Sequence, residues 1–364
     1  MRHEPAIGAR RNGRRRMHAE TVPRHLPIAR ILWVVLLVAT VVAVVANAGE
    51  LRQVWQAVQA ADRRYLAAAA GIELAFVVNL ALFYRSTFRA SRVRAEHGRF
   101  FLLTSAAHFV NIISKSGGLG GIALYLQEGR RSGESSARIT AAYLAAYVLG
   151  YVAYFAVLIA ALVLLYVRGS LQTAEVAASI VILAIVVVSV IVMATGLRSK
   201  ATLERLYLLA ARPVNLVARP LRRPPFIDRE TAAETVSELY DAVSHVKRNP
   251  AAYVVPFAHA LLVEVIGVAT LYVVARSLYA EVRFDAALVS YAVSILFSMV
   301  AVTPGGLGFV EASLGVLLVS FGVDRHTAIA VALIYRLYEF WIPLVLGAIA
   351  LQLLRERTAA PAAS

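Results

Sequence analysis

Six ionisable side chains lie inside long apolar segments of the sequence, where hydrocarbon penalises charge. A charge at the centre of a bilayer costs roughly 2.5–3.5 kcal/mol on insertion scales, so such groups normally face protein or water and find partners. We therefore regard them as the candidate sites of chemistry. They are Glu73, Lys115, Glu264, Glu311, Arg336 and Glu339.

Arg336 is the strongest candidate for binding a ligand. An intramembrane guanidinium offers paired N–H donors that match a phosphate or a carboxylate, and Tyr335 beside it could flank a lipid headgroup or simply pack as an aromatic ring. The structural alternative for Arg336 is an ion pair with Glu339, three residues away on one helix face, or with Glu311. Lys115 could hold a phosphate, or extend its long side chain to the headgroup layer.

Glu311 follows a turn that breaks an apolar segment. The run at 303–312 reads Thr-Pro-Gly-Gly-Leu-Gly-Phe-Val-Glu-Ala. A carboxylate just after such a turn lies in the first turn of the next helix, where free backbone N–H groups and the helix dipole favour negative charge. Glu311 is therefore either a substrate contact or a first-turn acid. The residues predicted to form this turn are Pro304, Gly305, Gly306 and Gly308.

Composition identifies the environment of these segments. Of the 364 residues, 60% are hydrophobic and 16% are charged, and the mean hydropathy is +0.69. These values are typical of a polytopic membrane protein. A helix needs about 20 apolar residues to cross about 30 Å of hydrocarbon. The segments predicted to span are 31–48, 65–84, 139–167, 176–197, 251–275 and 326–354.

Two further apolar stretches, 100–127 and 286–322, are interrupted at their centres. Each is predicted to form a re-entrant hairpin of two half-helices that enters and leaves the membrane on one side. The turn of the first hairpin contains Gly117, Gly118 and Gly120.

The distribution of basic residues favours this topology. With the N-terminus inside and both hairpins re-entrant, 28 of the 37 Lys and Arg residues lie on the cytoplasmic side and 7 lie outside. This agrees with the excess of Lys and Arg in cytoplasmic loops of membrane proteins. If both hairpins spanned instead, the basic segments 128–138 and 198–250 would lie outside.

The two halves of the sequence resemble each other. Gly-Gly-Leu-Gly occurs at both hairpin turns, and two tyrosines of the first half recur 188 residues later. The predicted repeats cover about 65–167 and about 251–354, and their hairpins enter from opposite sides. Inverted repeats of this kind commonly build a transporter site near the bilayer midplane from broken helices. Glu73 and Glu264 lie in corresponding helices and are both candidate substrate contacts.

The segments outside the spans are polar and basic. The arm 1–30 carries eight Arg and is predicted to be disordered, cytoplasmic and attracted to anionic headgroups. The segment 198–250 is predicted to be a basic cytoplasmic loop, and 355–364 a cytoplasmic tail. The chain has no Cys, which excludes disulfides and thiolate metal sites. We expect no metal, no cofactor, no catalytic residue and no nucleic-acid partner.

The run at 303–312, followed by a terminal helix with Tyr335 and Arg336, resembles the signature of the flippase-like membrane domain of bacterial lysylphosphatidylglycerol synthetases. The resemblance extends from about residue 29 to 354. It implies a membrane domain that moves a lipid between leaflets; in bifunctional members a soluble aminoacyltransferase domain follows. The chain reaches Ser364 soon after its last helix, so we expect no synthetase activity.

The sequence thus predicts an all-α protein of the cell membrane, with both termini cytoplasmic and a single transmembrane domain over 31–354. Six spanning helices and two re-entrant hairpins are expected. The predicted function is a flippase or transporter for an anionic or modified lipid, with membrane lipids as partners and a lipid-modifying enzyme as a further one. The alternative is an accessory protein or an enzyme of a polyprenyl-phosphate or glycolipid pathway.

Overall fold

The computed structural model describes most of the apolar part of the chain, namely residues 55–94, 97–114, 119–167, 199–202, 204–205, 207–209, 229–300 and 303–359. The predicted arm, the predicted spans 31–48 and 176–197, and Lys115, Gly117 and Gly118 lie outside these ranges. Within them, every regular element is a helix. The longer helices are α1 (Arg63–Ala90), α2 (His97–Ser114), α3 (Ile122–Arg131), α4 (Ser136–Val167), α5 (Arg229–Arg248), α6 (Val254–Ser277), α7 (Phe284–Val300), α8 (Phe309–Ser320), α9 (Arg325–Arg336) and α10 (Ile342–Ala359).

Among the described residues, four helical stretches are long and apolar enough to cross a membrane. They measure 28 to 30 residues, or about 42–45 Å at 1.5 Å per residue, against about 30 Å of hydrocarbon. They coincide with four of the six predicted spans and make this a multi-pass membrane protein whose described elements are all helical. Their bounds are Arg63–Ala90, Arg138–Val167, Pro250–Ser277 and Arg325–Leu354.

Helices end on either side of both predicted breaks. In the first stretch, α2 ends at Ser114, and a short 3-10 turn at Leu119–Gly121 leads into α3. In the second, α7 and α8 are separated by a 3-10 turn at Pro304–Gly306. With 17 and 12 residues, α7 and α8 are about 26 and 18 Å long. Both are shorter than the hydrocarbon thickness of about 30 Å.

Glycine is required at the second break by backbone geometry. Gly305, Gly306 and Gly308 have φ angles of 59°, 72° and 82°, in the left-handed region that L side chains rarely adopt. A Cβ added at Gly305 would overlap the ring of Phe340. A Cβ at Gly306 would lie 3.0 Å from the hydroxyl oxygen of Ser298. The turn therefore has neither the backbone freedom nor the space for larger residues.

Contacts between the two halves of the chain follow one pattern. Helix α1 packs along α6, its counterpart in the predicted repeat. Helix α2 packs on α10, while α7, the counterpart of α2, packs on α4, the counterpart of α10. The α2–α10 contact thus corresponds to the α7–α4 contact when each helix is replaced by its counterpart in the other half. At Gly347 a Cβ would lie 2.6 Å from the carbonyl oxygen of Ser105, so this small residue lets α10 and α2 approach closely, as is common inside membranes.

The helices that are long enough to span expose apolar side chains. Leu74 on α1, Val265 on α6 and Val345 on α10 are 61%, 55% and 56% exposed. Lipid solvates such a surface, whereas water would not. Beneath it, polar groups join the helices: the side-chain amide of Asn79 donates to the backbone carbonyl of His259 (2.9 Å).

The boundary before α9 lies outside the spanning stretch and is fixed by a capping acid. The carboxylate of Asp324 accepts from the backbone N–H groups of His326 (3.0 Å) and Thr327 (3.1 Å). The N–H of Thr327 contributes most to holding the pKa of Asp324 below its usual range. An ionised cap at a helix N-terminus is favoured by the helix dipole.

We expect Gly305→Ala to destabilise the folded protein, because it places a side chain in left-handed backbone, which costs about 1–3 kcal/mol, and against the Phe340 ring. The thermal midpoint in detergent, followed by size-exclusion of the soluble fraction, measures the effect. Gly315→Ala is the matched control, since nothing lies within 4 Å of its added Cβ. Equal midpoints for the two variants would contradict this account of the turn.

Candidate functional site

Arg336 is enclosed at the end of α9, with only 2% of its surface exposed. Its Nε donates to the Glu311 carboxylate (2.8 Å), its Nη1 to Glu339 (2.5 Å) and its Nη2 to the backbone carbonyl of Gly305 (2.9 Å). The guanidinium carbon lies 4.5 Å from the ring centre of Phe340. Every nitrogen of the guanidinium therefore has a partner, and the ion-pair alternative for Arg336 is present.

These contacts join three parts of the second half of the chain. Glu311 belongs to the first turn of α8, Gly305 to the turn before it, and Glu339 to the segment after α9. The second carboxylate oxygen of Glu311 accepts from the backbone N–H of Gly308 (2.7 Å), so Glu311 is also the expected first-turn acid. Charge-assisted bonds of this kind are the stronger ones in proteins. The break in the apolar stretch is thus anchored to a spanning helix.

The predicted span 326–354 changes pitch at this point, which the sequence did not indicate. Residues Leu337–Trp341 form a π-helix between α9 and α10. Such wide turns are rare and occur frequently at functional sites. The π segment carries Glu339, whose side chain is 34% exposed while that of Arg336 is 2% exposed. Glu339 is therefore the more accessible end of this ion pair.

Glu73 lies on α1, which contacts the π segment that carries Glu339. It is 4% exposed, and its Oε1 has no hydrogen-bond partner. Tyr335, the residue before Arg336, is also buried, and its hydroxyl has no hydrogen-bond partner. The ion-pair network thus adjoins a carboxyl group that it does not satisfy.

Glu264 has a different environment from Glu73, although the two helices pack along each other. It is 8% exposed and accepts a hydrogen bond from the hydroxyl of Tyr291 (2.9 Å). Space for that tyrosine comes from Gly267, where an added Cβ would lie 2.6 Å from the Tyr291 oxygen. Counting Glu73, Glu264 and the two acids on Arg336, four carboxyl groups accompany one guanidinium in this part of the described structure.

A cavity of about 340 Å³ opens beside Glu264, among α1, α2, α4, α6 and α7. Its volume is within the range of small-molecule sites. Apolar side chains form most of the wall, and Glu264 and His108 supply titratable groups. Four tyrosines complete the lining: Tyr84, Tyr147, Tyr151 and Tyr154.

The sequence alone did not predict this cavity. A signal was present, because Tyr143, Tyr147 and Tyr151 follow one another at intervals of four and so share one face of α4. Their rings lie 5.3 and 6.0 Å apart, centre to centre. The spacing indicates a tyrosine ladder, but it does not reveal that a gap between helices lies in front of it.

The first break is held by an amide rather than by a guanidinium. The side-chain oxygen of Asn111 accepts from the backbone N–H of Gly121 (2.6 Å), and its nitrogen donates to the hydroxyl of Tyr143 (3.0 Å). Gly120 lies in the same 3-10 turn. Whether Lys115 contributes to this turn falls outside the described residues.

Comparison with known proteins gives the family of this arrangement. The family model for the lysylphosphatidylglycerol synthase TM region matches residues 31–347. The chain belongs to this family. The resemblance inferred from the run at 303–312 and the helix containing Arg336 is thereby confirmed.

Similarity to curated relatives is local. A UPF0104 membrane protein of Pyrococcus horikoshii is 36% identical over 78 residues, which are 21% of this chain and 23% of that protein. Another, from Methanothermobacter thermautotrophicus, is 35% identical over 79 residues, 22% of this chain and 24% of its own length. The chain thus matches about a quarter of the length of either relative. In this lysylphosphatidylglycerol synthase TM-region protein, the buried charge cluster and the cavity both lie within the family match.

We expect Arg336→Gln to lower stability strongly, because it leaves Glu311 and Glu339 without their cation; breaking a buried pair typically costs about 3–5 kcal/mol. Arg138→Gln is the control, since its 3.2 Å bridge to Glu134 is exposed on the arginine side and such pairs contribute about 0–1 kcal/mol. Thermal midpoints in detergent compare the stability of the two variants.

Adding Glu311→Gln and Glu339→Gln to Arg336→Gln should restore part of the lost stability. Similar midpoints for Arg336→Gln and Arg138→Gln would contradict the ion-pair assignment.

Proposed function

We propose that this protein is a lipid flippase or transporter that moves a modified or anionic lipid between the leaflets of the cell membrane. The observation that carries the proposal is the cavity among α1, α2, α4, α6 and α7, whose mostly apolar lining includes Glu264, His108 and four tyrosines. Family membership is consistent with it. Three of the enclosing helices, α1, α4 and α6, belong to stretches long enough to span the membrane.

The chemistry of the cavity suits a headgroup whose acyl chains stay in the bilayer. A polar headgroup crosses hydrocarbon slowly because its hydrogen bonds to water are lost. Tyrosine hydroxyls, His108 and Glu264 replace part of that hydration, while apolar surface accommodates the glycerol and proximal acyl groups. Binding in such a site lowers the free-energy barrier to moving the headgroup across the membrane. Concave, mostly apolar sites with a few polar groups bind small molecules in the same way.

The described charges favour a headgroup that brings hydrogen-bond donors. Glu264 is a wall residue of the cavity, and a carboxylate attracts an amine or accepts from a hydroxyl. The role predicted for Arg336, holding an anionic headgroup, requires a partner to leave it. Glu339 is the more exposed of its two carboxylates and is the one we expect to be displaced. Amine-bearing or hydroxylated lipids need no such step.

The proposed topology has six spans and two re-entrant hairpins in inverted repeats, with both termini cytoplasmic. Its support is the exchange of helix pairings between the two halves and the shortness of α7 and α8. In this arrangement one repeat rocks against the other around a fixed central site and exposes it to alternate leaflets. The cavity lies between elements of both repeats, where such movement would open and close it.

The test is transport of fluorescent lipids by purified protein in liposomes, with a phosphatidylglycerol, a phosphatidylethanolamine and an aminoacylated phosphatidylglycerol as probes. Gly150→Phe should slow transport at least tenfold, since Gly150 lines the cavity and nothing lies within 4 Å of its Cβ position. Gly71→Phe is the matched control on α1, with equally open surroundings and no part in the cavity lining. We expect the amine-bearing probes to move faster than phosphatidylglycerol.

Two outcomes would count against the proposal. Equal rates for Gly150→Phe and the wild-type protein would show that the cavity is not the route. No movement of any probe by well-folded protein would favour the alternative, an accessory membrane protein or an enzyme of a polyprenyl-phosphate or glycolipid pathway.

A further inference from the structure

Glu73 is the buried carboxyl group for which the ion-pair network provides no partner. It lies near the middle of α1, a helix long and apolar enough to span the membrane. It is 4% exposed, and its Oε1 has no hydrogen-bond partner. Leu74, the next residue, faces outward at 61% exposure. The Glu73 side chain is therefore directed into the protein, within a stretch long enough to span the membrane, and one of its oxygens has no hydrogen-bond partner.

No described cation is available to pair with Glu73. Arg336, the buried cation of the ion-pair network, is fully engaged by Glu311, Glu339 and Gly305. Elements packed against α1 contribute carboxyl, imidazole and phenol groups, and none of the described Lys or Arg side chains bonds to Glu73. Titratable groups on those elements include Glu339, Tyr335 and Tyr338 around the π segment, Glu264, His259, Tyr272 and Arg276 on α6, His108 on α2, Tyr253 before α6, and Tyr147, Tyr151 and Tyr154 on α4.

A carboxylate in this position has two ways to become neutral. It can bind a metal ion together with further ligands, or it can bind a proton. The described residues contain no group of three or more His, Asp or Glu side chains arranged to hold a metal ion. An isolated ionised carboxylate is very costly to bury, and such groups neutralise instead.

We propose that Glu73 binds the proton that couples lipid transport to a proton gradient. The inference rests on the proposed transport function. In the conformation described, Glu73 is the neutral acid. When the repeats rearrange and water reaches it, the O–H bond of the carboxyl breaks and the proton passes to water, forming hydronium and leaving the carboxylate. Reprotonation from hydronium on the other side reverses this step, so one proton crosses and no other reactant is needed.

We assign Glu339 as the next group on the route of the proton. It belongs to the π segment that contacts α1, and its side chain is 34% exposed. The proposed path runs from the buried acid through this more accessible carboxylate to water. In this scheme Glu339 connects the proton site to Arg336 and to the turn before α8. Deprotonation of Glu73 would add a negative charge near the ion pair of Arg336, which anchors the turn before α8.

The protonation state is testable without any lipid transport. In wild-type protein in membranes at neutral pH, infrared spectroscopy should show the C=O band of a protonated carboxyl, shifted by exchange into D₂O. Glu73→Gln should remove intensity from that band, whereas Glu281→Gln, at an exposed acid, should leave it unchanged. An identical band in Glu73→Gln and wild type would show that Glu73 is ionised and overturn the proposal.

Coupling is tested in proteoliposomes of phosphatidylcholine and phosphatidylglycerol, with fluorescent phosphatidylethanolamine as the probe. Under a one-unit pH gradient, wild-type protein should shift the steady-state ratio of probe between leaflets by up to about tenfold for one proton per lipid. Glu73→Gln should move the probe but leave the ratio near its value without a gradient. Glu73→Asp, which keeps a titratable group, should retain the response.

The outcomes separate this inference from the proposed function. Transport by the wild-type protein that does not respond to the gradient would overturn coupling alone. No transport under any gradient would overturn the proposed function and coupling together. A gradient response retained by Glu73→Gln would assign the proton to another group. If Glu73→Gln does not fold, Glu73→Asp replaces it in the infrared comparison, where a shifted rather than unchanged band is expected.

Discussion

Burial of the Arg336 guanidinium is the constraint on which the second half of the molecule depends. A charge enclosed to this degree must have all its donors satisfied, and the acceptors come from Glu311, Glu339 and the carbonyl of Gly305. Meeting that demand brings the turn before α8 against the end of α9. The left-handed backbone at Gly305 and the π-helix after Arg336 are the local distortions that accompany this arrangement.

The two breaks are stabilised by different chemistry, although their sequences are similar. Asn111 holds the first through neutral hydrogen bonds, and the second is held through charge. Neutral amide bonds are weaker than charge-assisted ones, so the described contacts at the second break are the stronger ones. In the proposed transport mechanism, such a difference would allow the first break to move while the second stays anchored.

Four carboxyl groups accompany the one guanidinium in this part of the described structure. Each has different surroundings, and these indicate different roles. Glu311 and Glu339 neutralise Arg336, Glu264 accepts from Tyr291 beside the cavity, and Glu73 has no partner on one oxygen. Sequence position alone would treat Glu73 and Glu264 as equivalent members of a repeat. Their different partners support different proposals: a headgroup contact for Glu264 and a proton site for Glu73.

Properties that depend on neighbouring residues followed from the sequence alone. Apolar length identified a multi-pass membrane protein and four described spans, Gly and Pro located the second break, and the run at 303–312 indicated the family. Properties that depend on distant residues did not. The sequence did not decide whether Arg336 binds a ligand or forms an ion pair, because its partners Gly305 and Glu311 lie 31 and 25 positions away along the chain. The cavity and the missing partner of Glu73 likewise arise only when separate helices meet, since hydrophobic pattern determines which segments enter the membrane but not which side chains come into contact there.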